Sequence, residues 1–188
     1  ESYKYDIVIS GWGVRDWGLV LKHKKLILEN LKKGFESYIS LKKSFKKDYL
    51  LVHIRRTDFL EIDTYKALNF DDQTWLKSIV KLCLFASINK VVIFSDSKID
   101  EIFISKLKMN GLEVIIPETY KNNKDLFLKL FIRYINNSYL IICNSSTLVL
   151  SIAFLFHEII YLPSKDKDFQ KVFLNEAHEN YPTNLNWN

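Results

Sequence analysis

The sequence predicts an α/β fold, a Rossmann-like parallel sheet flanked by helices. Three observations carry this. From Tyr49 onward, short apolar runs alternate with stretches of helical period. Each run is continuously apolar, the pattern of strands buried on both faces of a parallel sheet. Polar clusters follow three of the runs, at His53–Asp58, Ser95–Ser97 and Asn144–Thr147. A doubly wound sheet places its ligands just beyond the carboxyl ends of its strands.

The elements follow in order. Tyr5–Ser10 reads as a strand broken by Gly11-Trp12-Gly13, and Asp16 or Trp17 opens a helix through about Lys33. A Lys-rich connection, Gly34–Asp48, leads to the first buried strand, Tyr49–Ile54. Asp71 or Asp72 caps a helix to about Ala86, with Trp75, Ile79, Leu82 and Cys83 on one face. Val91–Phe94 is the second strand. Ile99–Met109 is a helix closed by Asn110-Gly111. Val114–Ile116 is the third strand, ended by Pro117, and Asp125–Ile135 is a helix ended by Asn136-Asn137. Tyr139–Cys143, a helix over Thr147–Phe156, and Ile159–Leu162 complete the pattern. The polar stretch Lys165–Asn188 reads as a helix or extended arm. The expected organisation is a stub and linking helix over 1–48, a Rossmann-like domain over 49–163, and a tail over 164–188 packing back on the fold. No G-x-G-x-x-G occurs, so the dinucleotide fingerprint is missing.

Composition narrows the function classes. With 188 residues, 48% apolar and 14% aromatic, the chain can bury a core and is not a disordered tail. The net charge of +5 suits an anionic partner, and equally suits a Lys-rich composition with no functional meaning. Cys83 and Cys143 both sit in apolar runs and read as buried small hydrophobes, not as a disulfide. No Cys/His cluster has metal-ligand spacing, so no metal is expected. No secretory signal is legible, Glu1 in place of Met reads as a trimmed chain, and the expected location is cytoplasmic. Tyr139–Leu162 has the length of a membrane span, but Asn144, Ser145, Ser146, Thr147, Ser151, His157 and Glu158 interrupt it.

Chemistry concentrates at the strand ends. Arg55-Arg56 is the sharpest signal, because guanidinium presents a planar fork of donors matching phosphate oxygens. Ser145-Ser146-Thr147 opens a helix, where hydroxyls and free N–H groups face the positive end of the helix dipole. Together the two sites can hold a diphosphate from two sides. The plain alternatives are a solvated Arg pair, or one neutralised by Asp58 or Asp63, and an ordinary helix cap. His53 is either a satisfied core residue or a nucleotide contact. Glu61 and Asp63 are loop carboxylates or general bases. Asp125 is an N-cap by default, or a base-reading carboxylate. Trp12, Trp17 and Trp75 are sugar platforms or core, with core the commoner use.

At these residues the chain resembles the metal-independent fucosyltransferases of the GT-B fold, the α1,2-/α1,6-fucosyltransferase superfamily. His53-Ile54-Arg55-Arg56-Thr57-Asp58 matches its H-x-R-R-x-D motif in full. Val91–Asp96 looks like the strand ending in an acidic residue, and Ile141–Thr147 looks like the strand followed by a Ser/Thr cluster. The likeness runs from about Gly11 to Pro163. It implies the C-terminal, donor-binding half of a GT-B fold, and an inverting transfer of fucose from GDP-fucose to a sugar hydroxyl of an oligosaccharide acceptor, without a metal cofactor. It implies that Arg55 grips the pyrophosphate and steadies the departing GDP, and that His53 meets the nucleoside. Arg56 and Asp58 would shape the loop, Ser146 and Thr147 would touch the phosphates alongside Ser145, and Asp96 would lie at the donor edge. Asp63 is the implied base and Asp125 the implied guanine reader.

Two other classes stay in view. One is a GT-B transferase using another nucleotide sugar, or a non-catalytic nucleotide-binding domain. The other is a basic nucleic-acid module, which the sequence disfavours because no element carries a dense Lys/Arg face with interleaved aromatics. Peripheral docking on a bacterial inner membrane is compatible with the charge, but no amphipathic anchor is evident.

Overall fold

The computed structural model describes residues 23, 25–27, 29–30, 47–56, 69–117, 124–144, 149, 152–153, 156–157 and 159–173. The strand expected at Tyr5–Ser10, most of the helix after it, and the end of the tail lie outside the described residues. The ordered elements are β1 (Tyr49–Ile54), α1 (Asp72–Ala86), β2 (Lys90–Ser95), α2 (Glu101–Met109), β3 (Glu113–Ile115), α3 (Lys124–Asn137), β4 (Leu140–Cys143), β5 (Ile159–Pro163) and β6 (Phe169–Phe173). Residues 149, 152–153 and 156 are helical, within the helix expected between β4 and β5.

The strands form one six-stranded sheet in the order β3-β2-β1-β4-β5-β6. The first five are parallel, and β6 runs antiparallel to β5. This is the α/β class expected from the sequence. The chain winds outward from β1 through β2 to β3, then crosses back to lay β4 on the other side of β1. The carboxyl ends of β1 and β4 are therefore the topological switch point, where such sheets open a crevice.

The period-two geometry of the strands divides the core. Tyr49, Leu51, Phe94, Ile141 and Cys143 face α3 through Phe131 and Ile135, with Val149 and Ala153. Leu50, Val52, Ile54, Val91 and Ile93 face Trp75, Ile79, Leu82 and Cys83 of α1 and Phe103 and Leu107 of α2. Every residue of β1 is buried, as a central parallel strand requires. Both cysteines are in the core, and burial pushes each thiol up to about 12.

The caps explain where the helices begin and end. Asp71 accepts the N–H of Thr74 at 2.7 Å and starts α1. Asp100 accepts the N–H of Ile102 at 2.8 Å, so α2 starts at Glu101, two residues later than the apolar pattern suggests. Gly111, at φ 80°, closes α2: its N–H reaches the carbonyl of Lys108 at 2.9 Å, and Leu112 reaches that of Leu107 at 3.3 Å. This is the left-handed stop that glycine takes without strain. Ser87, at φ 55°, closes α1 by the same double bond pattern, with a Cβ in place. The helix α3 continues through Asn136-Asn137 and does not stop before them. Asn137 Nδ2 donates back to the Arg133 carbonyl at 2.8 Å and satisfies the last turn.

The segment expected as a helix or extended arm forms β6 in part. Its Phe169 ring meets Tyr161 at 5.3 Å between centroids, and Val172 packs on the core. No helix among the described residues is long and apolar enough to cross a membrane.

Candidate functional site

The site is built where β1 leaves the sheet. Its last two paired rungs set His53 beside Phe94 and Cys143, and Ile54 beside Ser95. Arg55 and Arg56 therefore emerge between the exits of β2 and β4. Asn144, one residue past β4 and 1% exposed, grips the first of them from both sides. The Arg55 N–H donates to Asn144 Oδ1 at 3.0 Å, and Asn144 Nδ2 donates to the Arg55 carbonyl at 2.7 Å. On the other flank, the Arg56 N–H donates to Asp96 Oδ1 at 2.8 Å. The Arg56 guanidinium pairs with the Asp72 carboxylate at the start of α1. A carboxylate there is also favoured by the helix dipole. Ser95 Oγ accepts the Ser97 N–H at 3.2 Å, which closes the turn after β2.

His53 points to the opposite side of β1 from Ile54, into the α3 face of the core. It is 7% exposed, with its ring 5.4 Å from that of Phe131. Its Nδ1 has no hydrogen-bond partner among the described residues. Burial, opposed by Asp96 and reinforced by Arg55, lowers its pKa to about 4. His53 is therefore neutral near pH 7.

Of the site residues expected from sequence, His53, Arg55, Arg56 and Asp96 gather at this one edge. Asp58, Asp63, Ser145, Ser146 and Thr147 lie outside the described residues. Asp125 is the second residue of α3, inside its first turn and not at the N-cap expected by default. Trp75 is fully buried and belongs to the core, not to a sugar platform. His157 is structural: its Nε2 lies 2.7 Å from the Ile135 carbonyl and 3.3 Å from Ser138 Oγ, at the end of α3.

Two contacts at this edge escape the sequence. Asp72, read there with Asp71 as an alternative cap, is a carboxylate that pairs with Arg56. Asn144, read as one polar residue of a cluster, is the pin of Arg55. The signal for Asn144 was its place directly after a buried strand, since a buried amide must find partners.

Fold and edge together define an α/β, Rossmann-like domain whose polar residues gather at the switch point of its sheet. No protein-family model and no curated protein matches this sequence. Among solved structures, POFUT1 in complex with GDP-fucose is similar over 73% of this chain and 45% of its own, at 17% identity and a TM-score of 0.50. POFUT1 in complex with GDP aligns over 67% of this chain and 43% of its own, at 15% identity and a TM-score of 0.45. The apo form aligns over 73% and 46%, at 16% identity and a TM-score of 0.46. This chain spans less than half the length of the POFUT1 chains it matches. At such identity the likeness is one of fold.

Proposed function

We propose that this chain is the donor-binding half of an inverting GT-B glycosyltransferase that takes fucose from GDP-fucose to a sugar hydroxyl. The observation that carries the reading is the exit of Arg55-Arg56 from the central strand at the switch point, with the Arg55 backbone held on both sides by Asn144. The similar fold of POFUT1, solved with GDP-fucose, supports the choice of donor.

In this reading the Arg55 fork binds the diphosphate. As the bond from the sugar carbon to phosphate oxygen breaks, negative charge grows on the departing diphosphate. The Arg55 guanidinium, carried on a backbone that Asn144 holds, stabilises that charge. Arg56, held by Asp72 and Asp96, sets the direction of the run. Ser145, Ser146 and Thr147 close on the phosphates from the β4 side. Neutral His53 packs in the core behind the arginine run, and Asp125 reads the guanine. Asp63 takes the proton of the acceptor hydroxyl. No metal is required, because arginine and helix N–H groups carry the charge. Transfer also requires the acceptor-side domain.

Calorimetric titration of the folded protein with GDP and GDP-fucose tests this. Arg55→Ala removes a charge-assisted contact and weakens binding by about 10- to 150-fold, from roughly 1.5–3 kcal/mol. A folded sample that binds no GDP refutes the reading. UDP binding more tightly than GDP moves the donor to another nucleotide sugar.

A further inference from the structure

Asn144 has more to do than end a strand. The main-chain pairing of β1 with β4 stops at His53 and Cys143. One residue further on, the Asn144 side chain supplies both a donor and an acceptor to the Arg55 backbone, at 2.7 and 3.0 Å. A carboxamide has the same donor and acceptor groups as a peptide unit. Asn144 thus adds one more rung to the ladder just past the point where main-chain pairing with β4 ends. Asn144 is 1% exposed, and the two bonds are part-buried.

We propose that Asn144 is a positioning residue for the nucleotide-diphosphate site. It fixes the Arg55 backbone relative to the β4 exit and so aims the guanidinium, without itself touching the ligand. This rests on the donor-site reading above. Only a side chain with a donor and an acceptor at this length can close both bonds. Asn144→Asp keeps the shape and the acceptor but turns a carboxylate oxygen toward the Arg55 carbonyl. Protonation of that carboxyl restores the donor; burial raises the pH at which it protonates, and the Arg55 N–H and the neighbouring Arg55 and Arg56 cations oppose that rise.

The test is GDP affinity of the wild type, Asn144→Asp and Asn144→Ala between pH 8 and pH 5.5, each ratio taken to wild type at the same pH, with circular-dichroism melts alongside. At pH 8 both variants bind about tenfold or more weakly, the loss of a part-buried hydrogen bond. As the pH falls, Asn144→Asp recovers most of the deficit, and Asn144→Ala recovers none. A purely structural role would lower melting temperature without this acid rescue. If Asn144→Asp does not fold at pH 8, Asn144→Ser, which keeps one bond, takes its place and binds between wild type and Asn144→Ala. Variants that fold and bind GDP like wild type overturn the proposal while leaving the donor site standing, as does an Asn144→Asp deficit that ignores pH. A wild-type chain that binds no GDP overturns both.

Discussion

His53 makes the domain acid-sensitive by an amount the structure sets. The imidazole is buried against Phe131 and its pKa is lowered from 6.5 to about 4. In the unfolded chain it protonates near 6.5. Between about pH 6.5 and 4 the unfolded state therefore binds the extra proton, and stability falls as pH falls through that window. Above 6.5 the contribution is complete. At about 1.4 kcal/mol per pH unit, the whole window is worth about 3 kcal/mol, of which about 2 kcal/mol is lost between pH 7 and pH 5. His157, also lowered by burial, adds to the same trend, so the measurement must be a difference. His53→Leu is close in volume and cannot titrate. Urea unfolding of wild type and His53→Leu at pH 7 and pH 5 gives that difference. Wild type loses about 2 kcal/mol more than the variant over this interval. Equal losses in the two proteins would mean that the folded imidazole takes a proton as easily as the unfolded one, and the burial argument would be wrong.

Three further changes probe the scaffold. Ser87 holds a left-handed φ of 55° with a Cβ in place, so Ser87→Gly stabilises by about 0.5–1 kcal/mol in urea unfolding. Trp75 is fully buried between α1 and the sheet, and Trp75→Ala destabilises by about 3–5 kcal/mol in the same assay. The Arg56–Asp72 pair leaves its side chains 21% and 44% exposed. A double-mutant cycle should return a coupling of only about 0.2–1 kcal/mol, shrinking in high salt.

The legible parts of the chain were those governed by local chemistry. Tyr49–Ile54 is six residues buried on both faces, and nothing else in the neighbourhood competes with that pattern. Asp71 and Asn110-Gly111 fixed helix ends because a cap acts on the next few residues only. The strand β6 was hidden for the opposite reason. Phe169, Val172 and Phe173 do not alternate, and Gln170 and Lys171 are exposed, as befits an edge strand whose place is set by β5. At the site, the sequence placed Arg55 and Arg56 at a strand end but could not say which carboxylate meets which arginine. Asp72 reaches Arg56 across sixteen residues, and Asn144 reaches Arg55 across eighty-nine. Charge and polarity are written in the sequence, whereas these pairings depend on which strands become neighbours.

Those pairings also bear on the donor-site reading proposed above. Two cations, Arg55 and Arg56, are accompanied there by two carboxylates, Asp72 and Asp96, both engaged with Arg56. Among the described residues, the formal charges of these four groups sum to zero. A nucleic-acid surface works the other way. It neutralises many phosphates by excess Lys and Arg, and its affinity collapses steeply with salt. On the donor-site reading, a site of balanced charge gains its affinity from direction, which starts from the Arg55 backbone that Asn144 holds. Preorganisation of that kind lowers the ordering cost of binding. On the donor-site reading proposed above, GDP affinity varies less with ionic strength than with substitution of Asn144 or Asp96.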